Sequence, residues 1–271
     1  MRRQSQPLLW VIMGFAIVVA GGAGVTLLSP KPPASPVAAA RNAVTDAGRA
    51  ATSDPANRIR IPIADPVPGR LPAEGVPRGW QLKEFAGQAA VEVVRNDGRI
   101  AMRLRSDRAS FAVHRDVVVD LKTLPYLTWT WKVTQLPATG DVRDSTRDDQ
   151  AAQLYVVFPR WPSPRSASDV IGYVWDSRAP AGTQLTHPKA KNVRIVVVES
   201  GQAALDRWQR YQRNVAEDYA ALFGRPAPRV GKVALMVDSN DTRAEAEALM
   251  GDLFFSPTSA GRAEIPSIVL R

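Results

Sequence analysis

The densest set of oxygen-bearing side chains in this sequence lies between Asp141 and Asp149, where Asp141, Asp144, Asp148 and Asp149 are interleaved with Arg143 and Arg147. A second set, Asp238, Asn240 and Asp241, follows about ninety residues later. Carboxylates gathered from loops can ligate Ca²⁺, which takes about six to eight oxygens; Asp148, Asp149, Asp238 and Asp241 are the candidate ligands. The same segments can form the rim of a ligand site, or serve as turn caps and ion pairs that hold a long connection. Aspartate is a favoured turn residue, and the interleaved arginines repel a cation. No EF-hand spacing is present. Two carboxylates about 5 to 9.5 Å apart can also cleave a glycoside, and Asp148, Asp149, Glu199 and Asp238 are the residues from which such a pair would be drawn.

Other chemistry is excluded. The chain has no cysteine, which removes disulfides, thiolate metal sites, iron–sulfur clusters and a cysteine nucleophile, and its two histidines, His114 and His187, stand far apart. There is no G-x-S-x-G elbow, phosphate-binding loop or H-E-x-x-H zinc motif. The sequence reads as a binding protein, with no catalytic residue assigned and no cofactor beyond the Ca²⁺ candidate. A net charge of +9 raises nucleic acid as a partner, but the basic residues are scattered. An anionic lipid surface, an acidic glycan or an acidic protein face suits them better.

Contact residues form a second group. Trp161 sits in Pro159-Arg160-Trp161-Pro162-Ser163-Pro164-Arg165, where the prolines deny it a regular strand. With Arg160 and Arg165 it is a candidate contact with lipid, protein or glycan, or else a plug on the edge of a sheet. Arg143 and Arg213 are further candidates, the latter aligned with Arg207 and Arg210 along one side of a predicted helix. Trp129 and Trp131 suit a sugar-stacking platform by type, but they share a face with Leu127 and Val133, which points to core packing.

The elements that must position these residues follow from periodicity. Leu127, Trp129, Trp131 and Val133 alternate with Thr128, Thr130, Lys132 and Thr134, and Ile100, Met102 and Leu104 alternate with Arg103 and Arg105. Both are half-buried strands. Further strands are predicted at 88–95, 109–119, 151–158, 170–176, 193–199, 230–237 and 252–256, with Asn96-Asp97-Gly98 as a tight turn. One helix is expected from Trp208, Tyr211, Val215, Tyr219 and Leu222, stopped by Gly224 and Pro226. Together these predict an all-β, antiparallel sandwich with one late α-helix.

Ahead of the sandwich, Leu8 to Leu28 is an apolar run of twenty-one residues preceded by Arg2 and Arg3. As a helix it would span roughly 32 Å, enough for a bilayer core, and the arginines keep its start in the cytoplasm. Ala38 to Ala40 offers the competing reading of a cleavable signal, with poor spacing. Ala16, Ala20 and Gly24 would lie along one helical face and let a neighbouring membrane helix approach closely. Expected units are an anchor at 1–28, a proline-rich linker at 29–77, the sandwich at 78–256 and a tail at 257–271. The expected location is a bacterial inner membrane, crossed once, with the folded part in the periplasm.

Several strings within the sandwich are recognisable: Trp129-Thr130-Trp131-Lys132-Val133, Gly140-Asp141-Val142-Arg143 with Asp148-Asp149, Tyr173-Val174-Trp175, Arg213-Asn214-Val215 with Asp218-Tyr219, Asp238-Ser239-Asn240-Asp241-Thr242 and Gly251-Asp252-Leu253. In this order, over roughly 78 to 256, they resemble a family of secreted bacterial proteins classed as domain of unknown function 3047. That family is similar to the galactose-binding-like jelly rolls, which include carbohydrate-binding modules and an assembly-factor domain of a respiratory complex. The resemblance implies binding or scaffolding. Two roles are therefore expected: an accessory, structural or assembly subunit of a larger membrane complex, or a carbohydrate-binding module for envelope glycans.

Overall fold

The computed structural model describes residues 52–54, 57–160 and 168–259. Ala16, Ala20, Gly24, the whole apolar run, Trp161 and Arg165 lie outside these residues. Among the described residues, no helix is long and apolar enough to cross a membrane.

The chain runs β1 (Thr52–Asp54), β2 (Arg58–Ile61), β3 (Ala73–Glu74), β4 (Gln81–Ala86), β5 (Ala90–Asn96), β6 (Arg99–Asp107), β7 (Ser110–Val119), β8 (Tyr126–Gln135), β9 (Ala152–Phe158), β10 (Asp169–Asp176), β11 (Gln184–Thr186), β12 (Val193–Ser200), β13 (Gln209–Asn214), α1 (Val215–Phe223), β14 (Val230–Asp238), β15 (Glu245–Met250) and β16 (Leu253–Ser256). These strands form two sheets. The first has the order β1-β2-β16-β8-β15-β6-β5-β3, with β13 also paired to β8; the second has the order β11-β12-β10-β9-β14-β7-β4.

Alternation dictates which side chains meet between the sheets. Trp129 and Trp131 of β8, Met102 and Leu104 of β6 and Phe255 of β16 face Phe111 and Val113 of β7, Leu154 and Val156 of β9, Tyr173 and Trp175 of β10 and Leu235 and Val237 of β14 in one apolar cluster. The Trp129 ring is 5.2 Å from Tyr173 and 5.5 Å from both Trp131 and Tyr211. This settles the two tryptophans as core, as the shared face with Leu127 and Val133 requires. Strands β9 and β10 are buried at every residue. Their outward side chains, Tyr155, Val157, Val170 and Val174, are covered by a second cluster that includes Val142, Ala179 and Ala190 from the connecting loops. A strand covered on both faces needs no polar alternation, which is why this stretch reads as a continuous apolar run.

The Asn96-Asp97-Gly98 turn is as expected: Asn96 pairs with Arg99, and Asp97 and Gly98 take φ of 48° and 75°, the double positive φ of a tight hairpin turn. Three features differ from expectation. First, β10 and β12 pair in parallel, the crossover occupied by β11 on the outer edge of β12, so the sandwich is not purely antiparallel. Second, the stretch expected to be linker is packed from residue 58 onward. Strand β2 pairs with β16, and Ile61 and Ile63 are fully buried. Third, the helix begins at Val215, not near Trp208. Asn214 caps it by accepting the Glu217 N–H (3.2 Å), and residues 209–214 are strand β13. Arg210 and Arg213 therefore point to opposite faces of a strand and do not line up along a helix.

On the outside of the second sheet, Lys232 of β14 is buried, with Nζ 2.7 Å from Asp116 Oδ1 and 3.0 Å from His114 Nδ1. Burial, then the Lys232 charge, lowers the His114 pKa to about 4, opposed by Asp116 and assisted by Lys83. The folded chain thus refuses a proton that the unfolded chain binds between about pH 6.5 and 4, so this site costs stability as pH falls through that window. His114→Gln should flatten the decline in urea midpoint between pH 6.5 and 4; parallel wild-type and variant profiles would refute the assignment.

Candidate functional site

The carboxylates singled out in the sequence do converge, in the loops around the second sheet. Asp149 is fully buried and accepts from Asp241 N (3.1 Å), Thr242 N (2.6 Å) and Thr242 Oγ1 (2.5 Å), joining the loop before β9 to the loop after β14. Asp148 Oδ2 is 2.9 Å from His187 Nε2, and Lys189 Nζ lies 2.9 Å from Asp241 Oδ2 and 3.9 Å from Asp148 Oδ2. Asp238 sits beside Asp149 and Asp148; burial first, then those two neighbours, push its carboxyl well above the usual range. Asp176 accepts from Val142 N (2.8 Å), Arg178 N (2.8 Å) and Ala179 N (2.6 Å). The oxygens a cation would use are aimed at backbone N–H groups, a hydroxyl, an imidazole and an ammonium. Among the described residues no group of three or more His, Asp or Glu is arranged to hold a metal ion. This network acts as turn caps and ion pairs.

The candidate contact arginines are likewise engaged internally. Arg143 forks onto Asp141 at 2.8 and 2.7 Å, which, led by that hydrogen bond, holds the Asp141 pKa below its ordinary value. Arg213 pairs with Asp218, which also accepts from the Tyr173 hydroxyl (2.7 Å). Arg160 binds Asp169 (2.8 Å), shared with Arg225 and Tyr219. Glu199 accepts from the Tyr211 hydroxyl at 2.7 Å.

An open cleft lies elsewhere, on the outer face of the first sheet. The β8 side chains opposite the core tryptophans, Thr128 and Thr130, form its floor. Across one edge Arg210 is directly opposite Thr130, and Gln212 Nε2 donates to Thr128 Oγ1 (2.9 Å). Across the other edge β15 and β16 run as one strand with a break at Gly251-Asp252, and Phe254 is opposite Thr128. Gly251 is required there because a Cβ would stand 2.2 Å from Thr130 Oγ1. Its N–H still reaches the Thr130 carbonyl (2.9 Å), keeping the bent strand on β8. At the break, β6 gives way to β2 as the next strand, and the notch between them opens the cleft.

The cleft has a volume of about 590 Å³, and its walls include Trp208, Phe254, Arg58, Arg99 and Arg210. Trp208, carried in by the loop before β13, packs on Val94, Ala101 and Leu249, the apolar patch of this outer face. The Arg99 guanidinium lies 5.6 Å from the Trp208 ring centre and that of Arg58 5.7 Å from Phe254. The carboxylate in the lining is Asp252, which accepts from Arg60 Nε (2.8 Å) and Ile63 N (2.8 Å). Sequence reasoning missed Trp208 and Arg210 by assigning them to a helix. The signal that finds them is period two: Tyr211 and Arg213 turn inward, leaving Arg210 and Gln212 outside.

Fold and cleft together define a two-sheet β-sandwich with a lateral cleft. The chain belongs to the family described as "Protein of unknown function (DUF3047)", whose model matches residues 78–254. Among curated proteins none matches at a significant level. Among solved structures, the family 11 carbohydrate-binding module of the cellulosomal cellulase Lic26A-Cel5E of Clostridium thermocellum is similar at 5% identity and a TM-score of 0.37, over 68% of this chain and 91% of that one. The xyloglucanase domain of NopAA from Sinorhizobium fredii is similar at 9% identity and a TM-score of 0.40, over 69% of this chain and 96% of that one. At these scores nothing about ligand or activity transfers to this chain.

Proposed function

We propose that this protein is a non-catalytic carbohydrate-binding protein of the bacterial envelope, and that the cleft on the first sheet is its binding site. The observation that supports this reading is the cleft's composition: an indole and a phenyl ring beside arginine and threonine donors, within the volume range of small-ligand sites. A sugar ring offers apolar C–H faces to aromatic rings and hydroxyls to such donors. Asp252, the carboxylate among the described lining residues, is fixed by Arg60, and no second carboxylate stands beside it there to complete the acid and nucleophile pair of a glycosidase. The apolar run Leu8 to Leu28 behind Arg2 and Arg3 supports tethering of the domain to the outer side of an inner membrane.

The test is calorimetry of the full-length protein in mild detergent against neutral and acidic oligosaccharides. Binding is expected, weakened at least tenfold by Trp208→Ala in a variant whose thermal unfolding remains cooperative. Flat titrations across the panel would sink the proposal. The same preparation addresses the accessory-subunit role, which the Ala16, Ala20 and Gly24 spacing favours: a stoichiometric membrane partner co-migrating on size exclusion would support that role.

A further inference from the structure

We infer that the saccharide this cleft takes is anionic, carrying carboxylates that Arg99 and Arg210 bind. This rests on the carbohydrate reading above and adds to it the charge of the ligand. Two parts of one sheet face differ in how their charges are matched. Away from the cleft, basic and acidic side chains are matched: Arg103 and Arg105 bind Glu92 at 3.2 and 3.0 Å, Arg105 also binds Glu247 at 3.1 Å, and Lys132 binds Asp97 at 3.1 Å.

At the cleft the matching stops for two of the lining residues, Arg99 and Arg210; the carboxylate among the described lining residues is Asp252. Asp252 is already held by another arginine, with Arg60 Nη2 at 2.6 Å and Nε at 2.8 Å, and by the Ile63 N–H. Among the described residues neither Arg99 nor Arg210 has an ion-pair partner.

Geometry adds to the charge count. Arg99 lies over the Trp208 ring. A guanidinium held by its face against an aromatic ring retains its N–H edge, and that planar edge matches a carboxylate in bidentate fashion. Arg210 stands on the edge strand β13, directly opposite Thr130 in the β8–β13 pair. A neutral sugar would leave the charges of Arg99 and Arg210 uncompensated. A uronate would neutralise those charges while its ring meets the aromatic side chains.

The experiment compares hexagalacturonate with its fully methyl-esterified counterpart, on the full-length protein in detergent, with a neutral glucan hexasaccharide as a third ligand. The acid is expected to bind at least tenfold more tightly than the ester. That advantage should shrink severalfold between 50 mM and 500 mM NaCl, as screening shortens the reach of charge. It should be lost in the double variant Arg99→Gln with Arg210→Gln, both exposed positions whose replacement leaves the core untouched. Acid and ester binding equally, or the glucan binding while the acid does not, would overturn the anionic ligand and leave the carbohydrate reading standing. Absence of binding to all three would overturn both.

Discussion

Replacing Asp149 with alanine is expected to lower the stability of the folded domain by about 3–5 kcal/mol, a large part of the roughly 5–15 kcal/mol typical of such domains. The side chain is fully buried and satisfies three donors on one loop, the backbone N–H groups of Asp241 and Thr242 and the Thr242 hydroxyl. Each buried donor left without an acceptor costs about 1–3 kcal/mol. Alanine removes the acceptor and also leaves a void that the loop before β9 cannot close, because Gly140 already lies against the Asp149 carbonyl.

Asp238→Asn should act with the opposite sign. The Asp238 carboxyl is raised well above its ordinary value by burial and by Asp149 and Asp148. A carboxyl that holds its proton more firmly in the folded chain stabilises below the unfolded pKa of about 3.8, and that contribution drains away as pH rises toward the folded pKa. A neutral amide escapes the loss, so the variant should gain on wild type as pH increases from 5 to 8. Urea midpoints for both variants across that range provide the check. An Asp149→Ala midpoint within error of wild type would show that the network does not hold the loops.

Trp129→Ala is expected to cost about 3–5 kcal/mol, the range for truncating a large buried aromatic residue. The ring is 2% exposed, packs near Tyr173, Trp131 and Tyr211, and stands at the centre of the cluster joining the two sheets. Trp129→Phe should recover a good part of the loss, since it keeps an aromatic ring at the same point. Thr128 and Thr130 lie on the other side of the same strand, so at temperatures where the alanine variant is still folded its affinity for the proposed saccharide should stay within about threefold of wild type. A loss of stability below 1 kcal/mol by chemical unfolding would contradict the core assignment.

The parts of this molecule legible in the sequence are those where one face of a strand is wet and the other is packed. The alternation across Leu127 to Thr134 marked the core face and the polar outer face together, and Asn96-Asp97-Gly98 marked its hairpin. Strand β13 was hidden because Trp208, Tyr211, Val215, Tyr219 and Leu222 satisfy a helical period over its length, while its own alternation is between polar residues, Arg210 and Gln212 outside against Tyr211 and Arg213 inside. Strand β2 was hidden by the prolines around it; a strand of four residues, three of them paired with β16, carries too little pattern to be distinguished from a linker. The Asp141 to Asp149 loop was legible as a concentration of carboxylates, but whether these face a cation or backbone donors depends on residues distant in sequence, Asp241, Thr242, His187 and Lys189. The cleft depends on a break at Gly251 and on which strand lies beyond it, neither of which has a local signature.

The single strand β8 turns Leu127, Trp129, Trp131 and Val133 into the core and, on its other face, places Thr128 and Thr130 on the floor of the cleft. The proposed recognition and the folding are therefore separated by parity along one strand. If the cleft binds as proposed, exchanges at Thr128, Thr130 or the facing Arg210 and Phe254 would retune what is bound without disturbing the packing beneath, leaving related chains free to diverge in ligand while keeping one scaffold. A single-residue insertion within β8 has the reverse consequence: it would turn the tryptophans out toward solvent and the threonines inward, abolishing fold and recognition at one stroke.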